Sequence, residues 1–390
     1  MRRRDFLAMS LTAASAWPLA GWSVSTPYVK RCRIRDLGLT IGEMPTGPLN
    51  ALTDVPDVRV GHVTLIEGEG PLVVGKGPVR TGVTSILPHG GLLSKEGVFA
   101  GTFMLNGNGE LTGLGSIRSS GLLSAPILFT NTSSVGSVYD GAVKWMLERD
   151  SSFFEEMRGE PVVGETWGDF LNDTAGRHVL PLHGYKALAE AKEGPISEGC
   201  VGGGTAMRAF EFKAGIGTSS RVIDCNGIKY TLGALVQSNF GRRSQFCVDG
   251  VPVGREIPNL LPKSGDYKKN KSMLMVIATD APLIPVQLKR LCKRVAMGLA
   301  RTGAISTHGS GDLFLAFSTA QKLGAASQGQ IDILSDKWIT HFHQAVIEST
   351  EESILNSLTM ADTMEGRDNN VIHALPLDQL VRVMKDYGRL

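Results

Sequence analysis

The chain carries two kinds of apolar pattern. From about 55 to 135 and from 200 to 255, short runs of Val, Ile, Leu and Thr are bounded by Gly, Asn and Pro. Val58–Val60, Val83–Leu87, Pro126–Thr130, Tyr230–Leu232 and Ala234–Val236 each predict a strand. Residues 273–278 form an unbroken apolar run, as expected for a strand covered on both faces, and Leu313–Ser318 makes a second strand. Helical spacing takes over elsewhere. Leu288, Leu291, Cys292, Val295 and Leu299 share one face of a helix after Pro282, with Lys289, Arg290, Lys293 and Arg294 opposite and Gly303 placed to cap it. Residues 136–148 (Tyr139, Val143, Trp145 and Met146 facing inward), 184–192, 336–361 and 377–387 predict four more helices. Residues 258–271 are polar and charged, which predicts an exposed, mobile loop ending abruptly at Ser272. Strands in runs followed by helices in runs point to an α+β layered fold rather than a doubly wound one.

Composition narrows the classes. In 390 residues, 42% are hydrophobic and 20% charged, enough for a large soluble core. The net charge is +2, and the densest basic stretch is only Lys268, Lys269 and Lys271, so nothing argues for a nucleic-acid partner. The five cysteines include no CxxC pair, which favours free thiols over a zinc site or disulfide framework and leaves one incidental disulfide open. Arg2-Arg3-Arg4, a short apolar run to Ala14, and Ala14-Ser15-Ala16 read as a twin-arginine-type export signal over about residues 1–25. The expected location is periplasmic or secreted, with no membrane attachment after removal. An uncleaved anchor is the other reading, and the apolar run is short for a span.

Single motifs are ambiguous. Gly70–Gly77 matches GxxxxGK but has Gly77 where a phosphate-binding loop needs Ser or Thr, so a surface hairpin is expected. His341 and His343 lie i, i+2 on a helix and point apart, which argues against a metal site. No GxSxG elbow is present. Three glycine-rich turns, at 106–110, 202–205 and 215–218, could present backbone N–H groups to an oxyanion or be ordinary tight turns. Ser310 and Asp312 stand two apart at a strand edge and so point the same way.

Taken together, several stretches resemble the D-aminopeptidase and β-peptidyl aminopeptidase family of serine peptidases with an N-terminal nucleophile. They are 47–55, 77–84, 106–110, Gly164-Glu165-Thr166-Trp167, Val201–Thr205, Val251–Ile257 and Ala278-Thr279-Asp280-Ala281-Pro282-Leu283. The likeness runs from about Arg35 to the C-terminus. It implies a four-layer α/β/β/α sandwich and self-cleavage between Lys271 and Ser272. An α chain of residues 26–271 and a β chain of residues 272–390 would result. By the same resemblance Ser272 is the nucleophile, Ser310 and Asp312 are further catalytic groups, and Asn239 holds the oxyanion. Glu165 would meet the substrate ammonium, with Trp167 as a pocket wall. No cofactor or metal is implied. The expected partners are a short peptide or amino-acid amide or ester as substrate, and further copies in a homo-oligomer of αβ pairs. Lys271 departs from the family, which often has Gly or another small residue there. An uncleaved, silent periplasmic binding protein and an ornithine-acetyltransferase-like acyl transferase are the competing readings; the serine nucleophile argues against the second.

Overall fold

The computed structural model describes residues 30–153, 159–263, 271–324 and 330–390. The export signal therefore lies outside the described residues, as does most of the loop before Lys271. Residues Arg31–Leu390 form one compact unit.

Among the described residues the strands make two large sheets. The first has the order β1-β2-β5-β6, from β1 (Arg59–Glu67), β2 (Val79–Leu87), β5 (Ile127–Asn131) and β6 (Val162–Thr166). The second has the order β4-β3-β12-β11-β10-β9, from β3 (Gly97–Gly107), β4 (Leu122–Leu123), β9 (Ile216–Cys225), β10 (Ile228–Asn239), β11 (Lys271–Thr279) and β12 (Ser310–Leu323). The hairpins β7/β8 (Arg208–Ala209, Phe212–Lys213) and β13/β14 (Met364–Glu365, Val371–Ile372) stand apart. The helices are α1 (Leu114–Ser120), α2 (Val135–Arg149), α3 (Pro181–Ala189), α4 (Val253–Glu256), α5 (Pro285–Arg301), α6 (Ile339–Thr359) and α7 (Leu377–Asp386). Helices α2 and α3 cover the first sheet, and α5 and α6 cover the second. The order of layers is α/β/β/α.

The alternation of β11 explains the layering. Met273, Met275 and Ile277 pack with Leu288, Leu291, Val295 and Phe342 of the helix layer. Leu274, Val276 and Ala278 pack with Ile127, Phe129 and Val162 of the facing sheet. Successive side chains of a strand point to opposite faces, so an unbroken apolar run is what a sheet between two layers requires. Both hydrogen-bonded neighbours of β11 in the sheet are fixed in register. Asn239 of β10 is opposite Ser272 in an antiparallel ladder. Gly311 of β12 is opposite Ser272 on the other side, in a parallel ladder bridged by α5.

Several elements differ from the sequence reading. Tyr230–Leu232 and Ala234–Val236 belong to the single strand β10, because Gly233 sits where a Cβ would lie 2.7 Å from the Leu52 backbone. Gly215–Thr218 is not a turn but runs into β9. A Cβ on Gly217 would meet the Ser353 carbonyl at 2.0 Å, so the glycine lets α6 approach. The helix expected over 184–192 starts earlier, at Pro181, whose ring favours the first helical turn. The buried stripe of α2 is Val138, Gly141, Ala142, Trp145 and Met146, while Tyr139 and Val143 are only half-buried. Helix α6 is buried on all sides from Glu348 to Thr359. Its acidic groups are compensated: Arg221, fully buried, donates to Glu348 at 2.9 Å and Glu352 at 2.7 Å, and Arg35 also reaches Glu352. Gly70–Gly77 is an exposed turn closed by Val73 N–H to Gly77 O, as the failed phosphate-loop match predicts. All five cysteines are free.

His62 of β1 is half-buried, with its ring Nε2 shut off from solvent. Its Nδ1 lies 3.0 Å from Thr84 Oγ1, its Nε2 has no partner, and burial pushes its pKa down to about 4. Between pH 6.5 and 4 the unfolded chain gains a proton that the folded chain resists, so stability present above pH 6.5 is lost as pH falls, by roughly 3 kcal/mol across the window. In urea titrations at pH 7 and pH 4.5, His62→Gln should lose clearly less stability than the parent over that interval. Equal losses would show that His62 does not carry the effect.

Candidate active site

The start of β11 and the end of β6 face each other across the two sheets. There a cavity of about 490 Å³ is lined by Asn108, Gly109, Glu110, Thr132, Val135, Glu165, Trp167 and Ser272. Three of the residues singled out in the sequence, Ser272, Glu165 and Trp167, therefore share one concave site. Ser272 is buried, with Asn239 and Gly311 as its strand partners.

Ser310 and Asp312 open β12, on either side of the Ser272 register position. They do not line the cavity but sit behind it. Ser310 Oγ donates to Asp312 Oδ1 at 2.7 Å, as their i, i+2 spacing predicts. Ser306 Oγ donates to the other carboxylate oxygen, and the Met273 backbone N–H donates to the same carboxylate. Burial pushes the Asp312 carboxyl up, and these three donors pull it back. A charged carboxylate in an apolar core is tolerable only with such donors. Ser306 adopts φ 46, a left-handed conformation that turns its hydroxyl towards Asp312. Sequence reading missed Ser306; a serine four residues before Ser310 carries no signal.

Asn239 is buried at the end of β10. Its Nδ2 donates to the Trp167 carbonyl at 2.8 Å, and its Oδ1 accepts from the Arg208 N–H at 3.4 Å. These contacts fix the side chain amide and leave Nδ2 one further hydrogen to donate.

Glu165 is buried, and Thr132 Oγ1 donates to its Oε2. The Glu110 N–H reaches its Oε1 at 3.3 Å, and the Glu165 N–H returns a hydrogen bond to the Glu110 carbonyl at 3.2 Å. Burial pushes the Glu165 carboxyl above its ordinary value; the two donors lower it and the Glu110 charge raises it again. Thr132, just before α2, was not singled out in the sequence. The three glycine-rich turns separate clearly. At 202–204 the N–H groups are consumed by Thr64, Thr84 and Val201, and 215–218 is strand. Only 106–110 lines the cavity, and the Gly109 N–H has no partner among the described residues.

Arg243 holds the chain shortly before the residues leading to Lys271. It is buried, stacks 3.3 Å over the Phe212 ring, and donates to the carbonyls of Phe210 (3.0 Å), Ile257 (3.0 Å) and Leu260 (3.4 Å). Lys271 itself opens β11, opposite Ser310.

Comparison with known proteins decides the family. The model of Peptidase family S58 matches residues 50–372. The chain belongs to peptidase family S58. It is 43% identical to a β-peptidyl aminopeptidase of Sphingosinicella microcystinivorans, over 92% of this chain and 93% of the relative. The structure of the PH0078 protein from Pyrococcus horikoshii superposes with a TM-score of 0.87 at 46% identity, covering 92% of this chain and all of that one. The L-aminopeptidase D-Ala-esterase/amidase from Ochrobactrum anthropi, described as a variant of the N-terminal-nucleophile hydrolase fold, gives a TM-score of 0.86 at 39% identity, covering 92% and 99%. The S58 chain is thus a serine aminopeptidase with an N-terminal-nucleophile fold, and the α/β/β/α layers read from the resemblance are confirmed.

The three donors on Asp312 generate a stability prediction for this S58 protein. Ser306→Ala in a Ser272→Ala background leaves one buried carboxylate oxygen short of a donor. It should cost about 1–3 kcal/mol in chemical denaturation. A loss well under that range would mean Ser306 does not support the buried charge.

Proposed function

We propose that this protein cleaves itself between Lys271 and Ser272 and then acts as an aminopeptidase on short peptides, amino-acid amides or esters. The observation that carries the reading is the shared cavity. A serine at the second position of β11 and a buried, under-donated carboxylate on β6 line the same space. A free ammonium from a substrate N-terminus would neutralise Glu165 there, and the serine would meet the adjacent carbonyl.

The chemistry follows from the groups present. In the precursor the Ser272 hydroxyl attacks the Lys271 carbonyl, the Lys271–Ser272 C–N bond breaks as the hydroxyl proton passes to the leaving amine, and water then hydrolyses the resulting ester. The freed α-amino group of Ser272, with an ordinary pKa of about 7.7–8.0, is then a suitable base for its own hydroxyl. It removes the proton as Oγ attacks the substrate carbonyl, and the amine or alcohol leaves from the tetrahedral intermediate with a proton returned from that ammonium. Asn239 Nδ2 and the Gly109 N–H are the donors proposed for the oxyanion. The loss of one such donor typically costs about 10²–10³ in turnover. Ser310, held by Asp312, would orient the new amine. Water then releases the acyl group.

The names of the relatives support a range of substrates that includes β-peptides and D-alanine esters and amides. The arginine-rich N-terminus supports export to the periplasm or beyond. A homo-oligomer of αβ pairs belongs to the same proposal.

The test of the reading is Glu165→Gln. It should lower kcat/KM for amino-acid amides with a free ammonium by about 10-fold or more, mainly through KM, in steady-state assays of the processed protein. Unchanged kinetics would remove Glu165 from amine recognition.

A further inference from the structure

The Ser272 cavity holds two carboxylates, and amine recognition as described uses one. Glu110 and Glu165 are tied backbone to backbone, so their side chains emerge side by side at the cavity wall. Glu165 is buried and accepts from Thr132 and from the Glu110 N–H. Glu110 is exposed, and its carboxylate has no hydrogen bond or ion pair among the described residues. The two charges are close enough for Glu110 to raise the Glu165 carboxyl. Among the described residues no Lys or Arg lines the cavity, so none of them balances the second charge. One substrate ammonium neutralises one carboxylate and leaves the other unmatched.

We propose that Glu110 is a specificity-determining residue that favours substrates whose N-terminal residue carries a second amine. The proposal rests on the aminopeptidase reading above. The α- or β-ammonium of such a substrate occupies Glu165 in the buried part of the cavity. A side-chain ammonium reaches the exposed Glu110 nearer the mouth. The cavity, about 490 Å³, is within the range of small-ligand sites and leaves room for both arms. Because Glu110 is solvated, its preference is of the size of an exposed ion pair, a factor of about three to five. It also weakens with salt, since a Debye length shrinks to about 8 Å at physiological ionic strength.

The experiment compares L-lysyl-p-nitroanilide with L-norleucyl-p-nitroanilide, whose side chains are similar in length and differ in charge. The readout is the ratio of the two kcat/KM values, which cancels any common effect on turnover or folding. Glu110→Gln should lower the lysyl-to-norleucyl ratio about three- to five-fold. Raising salt from about 20 to about 300 mM should shrink the ratio of the parent protein and leave that of the variant nearly constant. A ratio unchanged in Glu110→Gln overturns the proposal. A salt-independent ratio in the parent overturns it as well, without needing the variant. Should the parent protein turn over neither substrate, the aminopeptidase reading itself falls and takes this proposal with it.

Discussion

Pairing of β11 on both of its edges is the constraint from which the rest of the structure follows. A strand hydrogen-bonded on both sides and packed on both faces has one register, since a slip of one residue would exchange Met273, Met275 and Ile277 with Leu274, Val276 and Ala278. That register puts Ser272 opposite Asn239 on one side and Gly311 on the other, and brings Ser310 and Asp312 to flank it. The position of the serine is thus set by about a dozen apolar side chains rather than by polar contacts of its own. Stability and reactivity share one element.

The two buried acids beside that strand are treated differently. Asp312 receives three donors and does not line the Ser272 cavity, which suits a group that holds others in place. Glu165 receives two, one of them long, and opens on the cavity with Glu110 beside it. Desolvation makes an under-donated carboxylate eager for a cation, and under the proposed function a substrate ammonium would supply one. The same physics makes His62 a cost at low pH, since its Nε2 is desolvated and unpartnered and no acid among the described residues offsets that.

Much of this was legible before any coordinates. The unbroken apolar run at 273–278 gave β11 and its two-sided burial, and the i, i+3, i+4 pattern from Leu288 gave α5. The spacing of Ser310 and Asp312 gave their shared direction. Other features had no local signal. Gly217 and Gly233 look like turn residues, yet each sits inside a strand because a distant backbone leaves no room for a Cβ. The last twelve residues of α6 read as half polar, yet they are buried because Arg221 and Arg35 arrive from far along the chain to pair Glu348 and Glu352. Thr132, Ser306 and Glu110 matter only through what lies across the site from them, which one sequence does not spell out.

The account turns on a broken peptide bond at the head of β11, and intact mass measurement of the purified protein reads that bond directly. Two polypeptides should appear, the smaller beginning at Ser272 and ending at Leu390, and Ser272→Ala should give a single uncut chain. A parent protein that is fully active as one unbroken polypeptide would contradict the account.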